Sequence, residues 1–224
     1  MGPARWKTVF KEFFISKVPM TSSYKPVLLY ALVDAAYYCD GKKPIGHKWI
    51  NFEGSKIRLD LNFIAARFAL YYWEVYPLVF RHMAQEGSGK GGTKYDPEIM
   101  KIIRKRFKTR EIPDLKELEG DGMQKLRRDI IRDAITPHVL PNLLKNMRGL
   151  YVYKRGDNYI TFDTDLAEYM NSDPEKLRGL IQRKLDEYIK SRNRKPMSIL
   201  PVENPFYLYV KNRFKNAQSK LRQS

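Results

Sequence analysis

From Val27 to Ala36 the chain is apolar at nearly every position, and no side of a helix drawn through Val27, Leu28, Leu29, Ala31, Leu32, Val33 and Ala36 is left for water. A helix that is apolar all round has to lie in the middle of a fold, with other elements packed about it. Ser22 or Ser23 can cap its start, and Pro26 is tolerated in the first turn, where the missing N–H would have no intrahelical partner. Gly41 and Pro44 end it. The rest of the chain must therefore supply partners for a buried central helix.

Several segments have the right pattern. Trp6, Val9, Phe10, Phe13 and Phe14 recur at helical spacing opposite Arg5, Lys7, Lys11 and Glu12, which predicts an amphipathic helix before Pro19. The stretch Trp49 to Leu59, with Gly54 in a turn, suits short strands. Asp60 reads as the cap of a third helix through Phe63, Ile64, Phe68, Tyr71 and Tyr72, kinked or ended by Pro77.

Glu86-Gly-Ser-Gly-Lys-Gly-Gly-Thr-Lys94 is dense in glycine and polar, the composition of a loop or linker. Beyond it, Asp96-Pro97 opens a helix with the apolar stripe Ile99, Ile102, Ile103 and Phe107. After the acidic stretch Glu111 to Gly122, helices are expected over 123–135 and 137–148, with Gly149 as a C-terminal cap. Leu150–Tyr153 and Tyr159–Phe162 flank a turn-forming segment, the pattern of a β-hairpin. Asp163 and Asp173-Pro174 open two more helices, and Pro196, Pro201 and Pro205 break the chain before a last short helix. The fold class is mainly α (α+β). The expected organisation is an aromatic-rich helical lobe over 1–86, a glycine-rich loop over 87–94, a basic winged-helix-like lobe over 95–195 and a basic tail over 196–224.

Charge narrows the partner. Residues 1–100 carry 14 basic and 9 acidic side chains (+5), and 101–224 carry 28 and 16 (+12), for a formal net charge of +17. Surface ion-pair networks would balance the signs, whereas an excess of this size favours an anionic partner such as nucleic acid. Two helices joined at Thr136-Pro137 and followed by a hairpin with a basic tip have the order of a winged helix, in which one helix enters a groove and the wing reaches a flanking backbone. Lys145, Asn146 and Arg148 are then helix-borne contacts, and Lys154 and Arg155 wing contacts. Lysine and arginine suit phosphates, and forked or amide donors suit base edges. A small packing unit or a protein-docking winged helix is the alternative. On the helix starting near Asp96, Lys101, Arg104, Lys105 and Lys108 can track phosphates or form a solvated face, and Arg192 and Arg194 belong to a basic connector open to the same two readings. DNA is expected ahead of RNA.

Other patterns point away from chemistry. Gly87-Ser-Gly-Lys-Gly-Gly-Thr93 departs from a phosphate-binding loop, because Gly91 stands where the magnesium-binding hydroxyl belongs and no strand precedes it. His47, His82 and His138 have no second ligand at metal spacing. Asp114, Glu117 and Glu119 fall in a charge-rich segment, expected to be exposed, without a strand-borne lysine. Tyr71, Tyr72, Trp73 and Tyr76 fit a core better than a base-stacking platform. No cofactor and no metal are expected. A single cysteine, Cys39, allows no intrachain disulfide and suits a reducing cytoplasm. The absence of a membrane-length apolar run makes a membrane partner unexpected.

Ser23-Tyr24-Lys25-Pro26-Val27-Leu28-Leu29, the run Leu59 to Tyr76 with its Tyr-Trp pair, and Tyr159-Ile-Thr-Phe162 followed by a helix ending near 188–192 resemble the N-terminal region of prokaryotic HNH-endonuclease-type restriction proteins, over residues 5–200. The resemblance implies a DNA-engaging lobe. No His-Asn-His cluster is present to receive the catalytic roles. A DNA-binding protein of a prokaryotic defence system is the leading expectation. The alternatives are an accessory subunit that docks on a nuclease or Argonaute-like effector and helps hold guide or target strands, and a metal-dependent nuclease.

Overall fold

The computed structural model describes residues 4–15, 24–40, 43–44, 46–79, 98–107, 113–141, 147 and 149–192. The fold is mainly helical with a small antiparallel sheet. Helix α1 (Ala4–Ile15) turns Trp6, Phe10 and Phe13 inward. In α2 (Tyr24–Tyr37) every residue from Lys25 to Ala36 is buried, as its lack of a polar face requires. Its C-terminal carbonyls are not left bare, since Asn171 Nδ2 donates to Ala36 O at 2.6 Å and to Cys39 O at 3.0 Å.

Strands β1 (Cys39–Asp40) and β2 (Lys43–Pro44) form a short antiparallel pair. Strands β3 (Ile50–Glu53) and β4 (Lys56–Asp60), in the stretch expected to supply short strands, pair as a hairpin through a turn at Gly54, whose φ of +62° places it in the left-handed region that glycine tolerates. Asp60 begins α3 (Leu61–Val79) by accepting the Asn62 N–H at 2.7 Å, and the helix runs past Pro77 rather than ending there. Helix α4 (Glu98–Arg106) buries Ile99 and Ile103.

The segment 111–122, expected to be an exposed acidic stretch, instead contains helix α5 (Leu115–Glu119), with Leu118 buried and Asp114 as N-cap accepting the Glu117 N–H at 2.8 Å. A short 3₁₀ turn (Asp121–Met123) leads into α6 (Gln124–Ile130), which continues without a break as a π-helical segment, Ile131–Val139. The expected division into two helices at Thr136-Pro137 is therefore absent. Pro137 has no N–H and would clash with the carbonyl four residues back. The wider π spacing relieves this, and Leu140 N–H reaches back five residues to Ile135 O. A helix-turn-helix unit needs that turn, so this part of the winged-helix order is not reproduced.

The expected hairpin also changes partner. Strand β5 (Tyr159–Asp163) pairs along its whole length with β4, in register from Lys56↔Asp163 to Asp60↔Tyr159. The 150–153 segment contributes a single bridge, in which Val152 N donates to Thr161 O at 2.7 Å and Thr161 N to Val152 O at 3.0 Å. The sheet order is β3-β4-β5. Its inner rows are Ile50–Leu59–Ile160 and Ile57–Phe162, all buried, while Asn51, Arg58 and Thr161 alternate to the other side. A slip of one residue would exchange the two faces, which fixes the register. Helices α7 (Thr164–Ser172) and α8 (Pro174–Arg192) follow, as Asp163 and Asp173-Pro174 predict. Segments before and after the glycine-dense stretch share this sheet, and a single apolar core runs from Trp6 to Ile181.

Candidate nucleic-acid interface and a buried ionic network

The sequence-predicted contact residues fall into three groups. Lys101 and Lys105 are exposed on α4, and Lys154 and Arg155 are exposed in the turn that precedes β5. Arg104 and Arg192 lie in α4 and α8, but their side chains are outside the described residues. Lys108, Lys145, Asn146, Arg148 and Arg194 are outside the described residues altogether, as are His82 and the 87–93 loop.

Tertiary packing adds neighbours that spacing did not reveal. Helix α4 lies against the continuous 124–139 helix. The outward face of that helix carries Lys125, Arg128 and Arg132 at i, i+3 and i+7, and all three are exposed. Lys105 sits close enough to this helix to act on Asp133, whose carboxyl is held below its usual value first by a hydrogen bond from Arg132 and also by Lys105. Two helical faces therefore form one ridge, with cations a turn apart along each. Some of its charge is internally neutralised: Lys101 pairs with Glu98 at 2.9 Å, and Arg132 pairs with Asp129 at 3.2 Å and with Asp133. Arg106, Lys125 and Arg128 have no ion-pair partner among the described residues. Arg106 belongs to the basic helix the sequence marks out, whereas Lys125 and Arg128 escape a reading of spacing because they become neighbours of α4 only through packing.

Beneath the surface lies a second concentration of charge. Asp34, in the middle of α2, accepts a hydrogen bond from the Tyr71 hydroxyl of α3. Arg67 Nε stands 4.0 Å and Arg178 Nη2 3.9 Å from the same carboxylate. Burial pushes the Asp34 carboxyl upward, against the pull of Arg178, Arg67 and Tyr71. Arg67 also donates to Glu119 and lies 3.7 Å from the centre of the Phe63 ring. Glu119 is in contact with His47, Nε2 to Oε1, at 3.2 Å. His47 Nδ1 accepts the Trp49 N–H at 3.3 Å, so the proton of the neutral ring sits on Nε2 and is donated to Glu119. Burial pushes Glu119 up, but the His47 hydrogen bond and the Arg67 charge outweigh it and hold the carboxyl below its usual range.

This network was not foreseen. Its signal was present in charges set within apolar helical runs, Asp34 after Val33 and Arg67 before Phe68. The acids considered as a nuclease cluster divide: Asp114 caps a helix and Glu119 belongs to the Arg67–His47 pairing, which explains why they do not converge on a shared site. Among the described residues no group of His, Cys, Asp or Glu is placed to hold a metal ion. Tyr71 and Tyr72 are core residues, 3% and 1% exposed.

Arg127 is also structural. Although it is next to Arg128, it points inward, donating to Leu118 O at 2.6 Å, Gly120 O at 2.7 Å and Asn62 Oδ1 at 3.2 Å. It thereby satisfies carbonyls at the end of α5. No helix among the described residues is long and apolar enough to cross a membrane. No protein-family model, no curated protein and no solved structure matches this chain.

Proposed function

We propose that this chain binds nucleic acid, DNA ahead of RNA, by laying phosphates along the α4 and 124–139 ridge, with the Lys154–Arg155 turn as a second contact. In this reading it holds the polymer rather than cleaving it, as a DNA-binding component of a prokaryotic defence system. The observation that carries the reading is that Arg106 on α4 and Lys125 and Arg128 on the helix packed against it are exposed cations without ion-pair partners among the described residues, in addition to the exposed Lys101 and Lys105. Cations spaced by a helical turn suit a polyanion with a charge every few ångströms, and each phosphate neutralised releases counterions. Ordinary surface salt bridges need no such surplus.

The test is a salt titration of a labelled duplex, run beside the single strand of the same sequence. Binding is expected to weaken linearly in log salt, with a slope of about −0.9 per phosphate contacted on duplex. The triple reversal Arg106→Glu, Lys125→Glu and Arg128→Glu should abolish most of it. Absence of binding at low salt, or unchanged affinity in that variant, overturns the proposal. A tighter grip on the single strand would move the substrate from duplex to single-stranded nucleic acid.

A further inference from the structure

Helix α1 is anchored by Trp6, Phe10 and Phe13, which are at most 4% exposed, and on its other side Lys7, Thr8, Lys11 and Ile15 are exposed. Phe14 is half-buried and Ile15 is 69% exposed at the end of the helix. Between α1 and the α7–α8 pair runs an open groove of about 390 Å³. Its floor is apolar, made by Phe14 from one side and by Tyr169, Leu177 and Leu180 from the other, with the Phe10 and Tyr169 rings 5.3 Å apart at its base.

The rims are cationic. Lys7 and Lys11 stand one turn apart on α1, and Lys176 lines the α8 side. None of these ammonium groups has an ion-pair partner among the described residues. Among the described residues the acid in the lining is Asp173, which caps α8 by accepting the Lys176 N–H at 3.1 Å and whose charge also acts on Tyr169.

We infer that this groove docks an acidic amphipathic helix of a partner protein, its apolar stripe on the floor and its carboxylates against Lys7, Lys11 and Lys176. An exposed apolar strip bordered by polar residues is what a helix-in-groove interface presents. Charge selects the partner's sign: the three cations on the two walls outnumber the Asp173 carboxylate, and the surplus favours Asp and Glu on the two flanks of the incoming helix. Their spread along and across the groove suits several acids on one helix, whereas an anionic amphiphile has one head group and would engage one site. A nucleic-acid strand lacks the continuous apolar stripe. This surface is built from residues separate from the α4 and 124–139 ridge, so the two proposals stand or fall independently.

The probe is a fluorescent synthetic helix with leucine at i, i+3, i+4 and i+7 and glutamate elsewhere, compared with the same peptide carrying lysine for glutamate, both titrated into the full chain. Saturable binding of the acidic peptide alone is expected. It should weaken by about tenfold or more in Lys7→Glu/Lys11→Glu/Lys176→Glu and, separately, in Ile15→Asp, which changes an exposed side chain and leaves the core intact. The Arg106→Glu/Lys125→Glu/Arg128→Glu variant should bind it as the unaltered protein does. Equal weakening by the ridge variant would show general charge attraction and overturn the inference. So would equal binding of the lysine peptide, or displacement of the acidic peptide by decanoate, which would make the groove an amphiphile site.

Discussion

Tyr71 on α3 donates its hydroxyl hydrogen to Asp34 on α2, a polar contact between two helices whose buried residues are mostly apolar. Arg67 and Arg178 bring opposite charge to within 4.0 and 3.9 Å of the same carboxylate without hydrogen-bonding to it, so α2, α3 and α8 converge on one buried charge. Apolar packing alone tolerates sliding; a buried carboxylate that must meet defined donors does not, because an unmet charge in the core is costly.

Arg67→Met should lower stability by about 3–5 kcal/mol, since it leaves the buried Asp34 without one of its arginines and Glu119 without its guanidinium. Urea unfolding monitored by circular dichroism measures it. A loss near zero would show that the network contributes no net stability.

Glu119→Gln tests the pH dependence. The folded-state Glu119 carboxyl is depressed, so its ionised form adds stability that is fully present above the ordinary glutamate value and is lost as pH falls through the depressed one. The stability gap between the original protein and the variant should be widest near neutrality and shrink on acidification. Asp34 acts in the opposite sense: its folded value is raised by burial, so its contribution diminishes as pH rises out of the ordinary aspartate range. Comparing unfolding curves of the two proteins across acidic pH isolates the Glu119 part.

Arg127 and Arg128 are adjacent in sequence but are predicted to fail differently. Arg128→Ala should leave stability nearly unchanged and reduce the salt dependence of duplex binding by about one phosphate contact. Arg127→Ala removes the donor to Leu118 O and Gly120 O and should cost about 1.5–3 kcal/mol in unfolding experiments. If both variants lost binding without losing stability, the inward placement of Arg127 would be wrong.

Cys39 is buried, its sulfur 3.3 Å from Ala35 O, and burial pushes the thiol up to about 12. Little thiolate exists at mildly alkaline pH, and reagents must reach a closed site. Iodoacetamide should therefore leave the native protein unmodified and label it fully in denaturant, as intact mass will show.

Gly149 has φ +80°, in the left-handed region, and an added Cβ would lie 2.8 Å from the mobile end of Arg5. The side chain can move but the backbone strain remains, so Gly149→Ala should cost about 1–2 kcal/mol, with Gly149→Asn milder. Thermal melting compares them.

Local elements were readable from pattern alone wherever periodicity and capping agreed. The amphipathic α1, the all-apolar α2, the short strands around Gly54 and the Asp163 and Asp173 helix starts all follow from side-chain spacing, because each depends on neighbours within a few residues. Pro137 misled for a physical reason: proline usually breaks an α-helix, but a local π spacing removes the clash while the apolar face from Leu126 to Leu140 keeps the helix in the core.

By itself, the sequence determined the helical class, the central place of α2, the positive charge and the alternation that fixes which face of β4 and β5 is buried. Only the tertiary structure decided that β5 completes a sheet with β4, about a hundred residues earlier, that Lys125 and Arg128 stand beside α4, and that Asp34, Arg67, Glu119 and Arg178 meet. Spacing along a chain records which face a side chain occupies. Which faces come together depends on long-range packing, and there β5 pairs with β4 over five residues but meets the 150–153 segment only at Val152, whose side chain is exposed.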